Sequence, residues 1–174
     1  MGKFLTSASR IEQVGNRKYR LLDNELYKDD DGSIYLAWQN YITDNFTWIN
    51  SNGYDTRCAH IHDVGCQFHT VVRIKLSEAK LKALRYLCVK DDKIICKNIP
   101  EKFLEIVPVA GNWINNLFYR MLRDADTPPT PKAIQYLYRA GVSLNFKWFL
   151  PRKNEIDLTQ LYDKSWNEGE CDAS

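Results

Sequence analysis

Long apolar runs are missing from this sequence. Nowhere does it hold the about 20 consecutive apolar residues that a membrane-crossing helix needs, and residues 1–10 contain no apolar core of signal-peptide length. No membrane span and no secretion by a signal peptide are therefore expected. Internal repeats and low-complexity segments are absent as well, and the chain carries almost no net charge, +2 over 174 residues. A wholly disordered or collagen-like chain is set aside by composition, since 44% of residues are hydrophobic and 26% charged, close to a soluble globular average. The 5 cysteines (Cys58, Cys66, Cys88, Cys96, Cys171) are an odd number without a secretion signal. That speaks against a disulfide framework and for a reducing cytosol.

Large core anchors are plentiful: 7 Phe, 10 Tyr and 5 Trp. A chain of this length can bury roughly two thirds of its unfolded surface and needs neither metal nor disulfide to fold. The charge is uneven. Residues 155–174 hold six acids against Lys164, a local −5, which leaves +7 for residues 1–154. A single domain over 1–154 with an acidic tail over 155–174 is the expected organisation. The basic residues Arg73, Lys75, Lys80, Lys82, Arg85, Lys90, Lys93 and Lys97 are read as a solvated face, and nucleic acid is not the expected partner.

Residues 17–28 and 33–50 read as strands, joined by a turn at Asp29-Asp30-Asp31-Gly32, where glycine supplies a positive φ and aspartate bonds its own backbone. Residues 56–69 read as a helix, and 77–88 as a second one capped by Ser77. A short strand follows at Ile94-Ile95-Cys96. Trp113, Ile114, Leu117, Phe118, Met121 and Leu122 form the apolar stripe of a helix over 112–123. Thr130 and Pro131 open a last helix, with Gly141 as its stop and a closing strand over 143–150. The fold expected is α+β: an N-terminal antiparallel sheet packed against a bundle of about four helices.

All 3 histidines lie within twelve residues, Cys58-Ala59-His60-Ile61-His62-Asp63-Val64-Gly65-Cys66-Gln67-Phe68-His69. On a helix, Cys58, His62, Cys66 and His69 share one face, and His60 lies opposite, within reach of Asp63. Three chemistries fit. A metal ion, zinc or calcium, could take a subset of Cys58, His62, Asp63, Cys66 and His69. The helix rises about 1.5 Å per residue, so one ion reaches only neighbouring members and needs a ligand from elsewhere. His62 could instead act as a general base beside a carboxylate. The third reading is structural: His62 hydrogen-bonded in the core, with Cys58 and Cys66 as small apolar residues. No cofactor is required by any of these residues.

The ordered pieces Phe46-Thr47-Trp48-Ile49, Gly53-Tyr54-Asp55-Thr56, Ala59-His60-Ile61-His62-Asp63, Ile114-Asn115-Asn116-Leu117-Phe118 and Tyr138-Arg139-Ala140-Gly141 resemble the phage and prophage proteins of domain-of-unknown-function family 1353, over about residues 40–148. Two features depart from that family. Residues 70–111 form an insert between the His-Asp helix and the next one, and Asn115 stands where the family usually has Asp. An amide cannot act as a base, but it can orient His62 by a hydrogen bond. A shorter similarity links Cys58, His62 and Asp63 to the Cys-Cys-x-x-His-Asp-x-Cys signature of phospholipase A2 enzymes. There Ala59 replaces the second Cys, Cys66 falls one residue late, and the glycine-rich calcium loop is missing.

The family resemblance implies a phage origin more than any reaction; with the small size, the incomplete catalytic set and Asn115 in place of Asp, the expectation is a phage-encoded accessory or virion-associated protein that is not an enzyme. It would act by protein–protein contact with other phage or host proteins, as a structural component or an anti-defence factor, and could form a homo-oligomer. Its location would be the host cytoplasm or the virion. Trp38, Trp48, Trp113, Trp148 and Trp166 are possible interface anchors. The alternative is a small metal-assisted esterase using His62, Asp63 and Asn115.

Overall fold

The structure, a computed structural model, describes residues 1–7, 10–16, 18–43, 56–83, 88–90, 93–95, 99–125, 131–145 and 156. In chain order these form β1 (Lys3–Phe4), β2 (Ile11–Gly15), β3 (Lys18–Leu21), β4 (Glu25–Lys28), β5 (Ile34–Ala37), β6 (Ile42–Thr43), α1 (Arg57–Phe68), β7 (Thr70–Ile74), α2 (Glu78–Lys82), β8 (Cys88–Lys90), β9 (Lys93–Ile95), a 3-10 turn (Glu101–Phe103), β10 (Leu104–Pro108), α3 (Gly111–Asp124) and α4 (Lys132–Asn145). The arrangement is α+β, as the sequence led us to expect. The main sheet has five strands in the order β1-β4-β5-β7-β10, every neighbouring pair antiparallel. A three-stranded sheet, β2-β3-β6, and a hairpin, β8-β9, complete it.

The β4/β5 hairpin turns where the acidic run and glycine place it. Gly32 sits at φ 87°, its N–H donating to the Asp29 carbonyl at 3.0 Å. The two strand regions expected over 17–28 and 33–50 each break and change sheet. After β3 the chain leaves the small sheet at Leu22–Asn24 and enters the main one as β4. After β5 it turns back at Asn40, φ 67°, and rejoins the small sheet as β6. The crossing is held by the Leu21 N–H on the Tyr41 carbonyl (3.0 Å) and the Asn40 N–H on the Leu21 carbonyl (2.8 Å).

Residues 70–111 contain two strands of the main sheet, β7 in its interior and β10 at its edge, with Leu104 opposite Ile74 and Pro108 opposite Thr70. The helix expected over 77–88 ends at Lys82. Ser77 does cap it, its Oγ accepting from the Lys80 N–H at 3.4 Å, but Cys88 belongs to β8, because pairing with Lys93–Ile95 overrides the helical spacing. Residues 84–87 lie outside the described set. The last helix runs through Gly141 to Asn145, since one interior glycine costs only about 1 kcal/mol. Residues 143–145 of the expected closing strand are therefore helical, and 146–150 are outside the described set, as is all of the acidic tail except Ile156, which is buried in the core.

α1 packs on β5 and β7 on one side and on α3 on another. It is buried nearly all round through its first two turns, Arg57 to His62 without a break. The α3 stripe (Ile114, Leu117, Phe118, Met121, Leu122) is buried as its spacing requires. Gly65 lets the two helices meet: a Cβ there would lie 2.4 Å from Cγ1 of Ile114. The Asp29–Asp30 turn docks on the end of α3, with Arg120 holding both Asp29 oxygens (2.9 and 2.7 Å) and the Tyr27 hydroxyl donating to Asp124 (2.8 Å).

Candidate functional site

The close contact of α1 and α3 at Gly65 brings His62 against Asn115. The imidazole Nε2 lies 3.0 Å from Oδ1 of Asn115. An amide oxygen only accepts, so Nε2 carries the hydrogen and donates it. The Phe118 ring lies one turn further along α3, its centroid 4.7 Å from that of His62. The other ring nitrogen, Nδ1, faces the Asp63 carboxylate, with Oδ1 at 3.9 Å. One turn along α1, the Cys66 sulfur lies 3.4 Å from Nε2 and 3.8 Å from Nδ1, against the ring edge. Asp63 itself is turned towards β6, where its Oδ2 accepts from the Thr43 hydroxyl. His62 as a residue is 8% exposed, while Asp63 and Cys66 are half-buried, so the cluster sits at the margin of the core.

Burial of the His62 ring works against a charge on it. The Asp63 carboxylate and the Cys66 sulfur work for it and prevail, raising His62 from its ordinary 6.5 to about 10. The arrangement can therefore hold a proton on the imidazole at neutral pH and exchange it with a neighbour at Nδ1.

The sequence-derived candidates separate into two groups. His62, Asp63, Asn115 and Cys66 come together. Cys58 is fully buried in the apolar core, and His69 terminates α1 in the left-handed region, φ 55°, its carbonyl accepting from the Val109 N–H at 3.0 Å. Among the described residues, no three His, Cys, Asp or Glu side chains form a group that could hold one ion. The Asn115 oxygen accepts from His62 and Oδ2 of Asp63 accepts from Thr43, and no step is derived through zinc or calcium.

The pairing expected between His60 and Asp63 does not occur. His60 points from α1 into the sheet, its Nδ1 2.9 and 3.0 Å from the two Glu25 oxygens on β4. Both groups are sealed from solvent. Sequence reasoning missed Glu25, which follows Asp23 and Asn24 in a polar stretch and carries no signal of burial. Phe118 was legible as i+3 from Asn115 on one helix face. Thr43 gave no signal, because its place depends on the register of β6 with β3.

No helix among the described residues is long and apolar enough to cross a membrane. Comparison with protein-family profiles, curated proteins and solved structures yielded no match.

Proposed function

We propose that the chain is a small hydrolase of ester bonds in which His62 transfers the proton. The observation that carries this is the grip on the imidazole: Nε2 fixed by Asn115 at 3.0 Å, with Nδ1 facing the half-buried Asp63 carboxylate and the Cys66 sulfur beside the ring. Fixing one nitrogen sets the tautomer of the other, which is what an oriented acid–base histidine requires. Asn115 takes the orienting role, and Asp63 supports the charged ring. The test is hydrolysis of p-nitrophenyl esters and of phospholipid by the full chain and by His62→Gln. Turnover that falls by about 100-fold or more in the variant supports the reading. Equal rates in the two proteins, or none in either, contradict it.

A second reading is favoured by Tyr136 and Leu137, adjacent on α4 and 60% and 58% exposed. It is the phage-encoded accessory or virion-associated protein acting by contact with another protein, in the host cytoplasm or the virion. Quantifying the chain in purified particles of the encoding phage tests it. Stoichiometric incorporation, lost in Tyr136→Lys/Leu137→Lys, supports this reading, and absence from the particle counts against the virion role.

A further inference from the structure

We infer that Cys66 is the nucleophile of this site, and that its substrate is an acyl group activated as a carboxylic ester or thioester. The inference rests on the hydrolase reading and deepens it. Its starting point is the proton inventory around His62. Nε2–H is committed to Asn115, so the nitrogen that exchanges a proton is Nδ1. Among the described residues, an Asp63 oxygen lies 3.9 Å from Nδ1 and only accepts, while the Cys66 thiol, 3.8 Å from Nδ1 and 3.4 Å from Nε2, has a proton to give. The i,i+4 spacing on α1 holds the sulfur over the ring edge, and the Phe118 ring lies against the imidazole. A thiol, an imidazole and an amide in this order form a nucleophile–base–orienter set, recognised by geometry rather than by position in the chain.

The charge balance agrees. An imidazole that holds its proton at neutral pH is a poor base towards water, but it is a ready acid for a leaving group and a cation beside a thiolate. The last turn of α1 opposes an anion at Cys66 through its carbonyl dipoles. That end carries about half a unit charge, whereas the imidazolium brings a full one within 3.4 Å of the sulfur. Cys58, two turns earlier on the same helix, is fully buried in the core and lacks this setting.

The chemistry closes. With the proton on Nδ1, the Cys66 sulfur attacks the ester carbonyl carbon, an S–C bond forms, and the C=O π pair moves to oxygen. The tetrahedral adduct collapses with cleavage of the C–O bond, and the leaving alkoxide takes the Nδ1 proton. His62 then removes a proton from water as it adds to the thioester. The C–S bond breaks, the acid departs, and the thiolate–imidazolium pair is restored.

The test uses two probes on the full chain. The first is iodoacetamide at pH 7.5, with peptide-resolved mass spectrometry reading Cys66 in the folded protein and in the same protein unfolded in urea. An inert half-buried thiol reacts more slowly folded than unfolded. The inference requires the reverse, by about tenfold, with the advantage lost in His62→Gln and reduced in Asn115→Ala. The second probe is p-nitrophenyl acetate, with intact-mass detection of one acetyl group on Cys66. Turnover that persists in Cys66→Ala but vanishes in His62→Gln overturns the nucleophile and leaves the hydrolase standing. Absence of turnover together with slow folded-state alkylation overturns both.

Discussion

His60 and His62 stand two residues apart on one helix and meet opposite fates. His60 points into the sheet and shares both oxygens of Glu25, with each partner sealed from water. His62 points at α3, donates to a neutral amide, and has a carboxylate on its Nδ1 side and a thiol beside both ring nitrogens at the margin of the core. Two residues of helix are about 200° of rotation, so the same side chain is turned into two environments. The difference teaches that burial alone does not mark a chemical group. His60 is the more buried and has a complete partner, whereas His62 has a partner that fixes it without neutralising it.

The most damaging way to break the comparison is on the sealed side. Glu25→Ala strips a buried partner from His60 and is expected to lower stability by about 3–5 kcal/mol, read from the urea midpoint, with ester turnover per folded molecule unchanged. A cost below about 1 kcal/mol would mean that the pair is not a structural tie. Gly65→Ala comes next. Its methyl would lie 2.4 Å from Cγ1 of Ile114, so α1 and α3 must separate at a cost of about 1–3 kcal/mol, with loss of turnover as His62 leaves Asn115. Asn115→Ala is milder, removing one hydrogen bond worth about 1 kcal/mol in thermal unfolding, but its turnover should fall far more than its stability does. The smallest effect is a gain. His69 closes α1 at φ 55°, so His69→Gly relieves a left-handed residue and should raise stability by up to about 1 kcal/mol, leaving turnover intact.

Two charge clusters should also part with pH: the one at His62, and one at Glu78 on α2, whose carboxylate meets Lys3 (2.8 Å), Lys28 (2.9 Å) and Lys82 (3.2 Å). His62 is raised in the folded state, so its contribution to stability is fully present below about pH 6.5 and is lost as pH climbs through about 10. Denaturant midpoints should decline over that alkaline range in wild type and not in His62→Gln. Glu78 behaves oppositely. Lys3 above all holds it down, burial opposes, and Lys28 and Lys82 add to the effect, which leaves it at about 2. Its contribution is present above pH 4.5 and fades as pH falls towards 2, so Glu78→Gln should flatten the acid limb alone.

Much of this was legible before any coordinates. The α1 and α3 stripes repeat at helical spacing, whereas Asn115 was read as an orienter of His62 only through the resemblance, which sets it where an Asp usually stands. The strands at Thr70–Ile74 and Leu104–Pro108 were not assigned, because five-residue apolar runs do not distinguish strand from helix by period, and their paired residues lie thirty or more positions apart in the chain. Glu25 with His60 and Thr43 with Asp63 are also non-local, and each depends on which sheet a strand joins after a break. The phospholipase pattern, in which Cys66 falls one residue late, gave no sign that the Cys66 sulfur would lie against the His62 ring.

The most direct test of the contrast is nitrogen NMR of ring-labelled histidine, with His62 assigned through His62→Gln. The account predicts that both His62 nitrogens remain protonated at pH 8, that its Nε2–H exchanges slowly, and that Cys66→Ala lowers the pH at which the ring loses its proton. A His62 that titrates at its ordinary value, indifferent to Cys66, would contradict it.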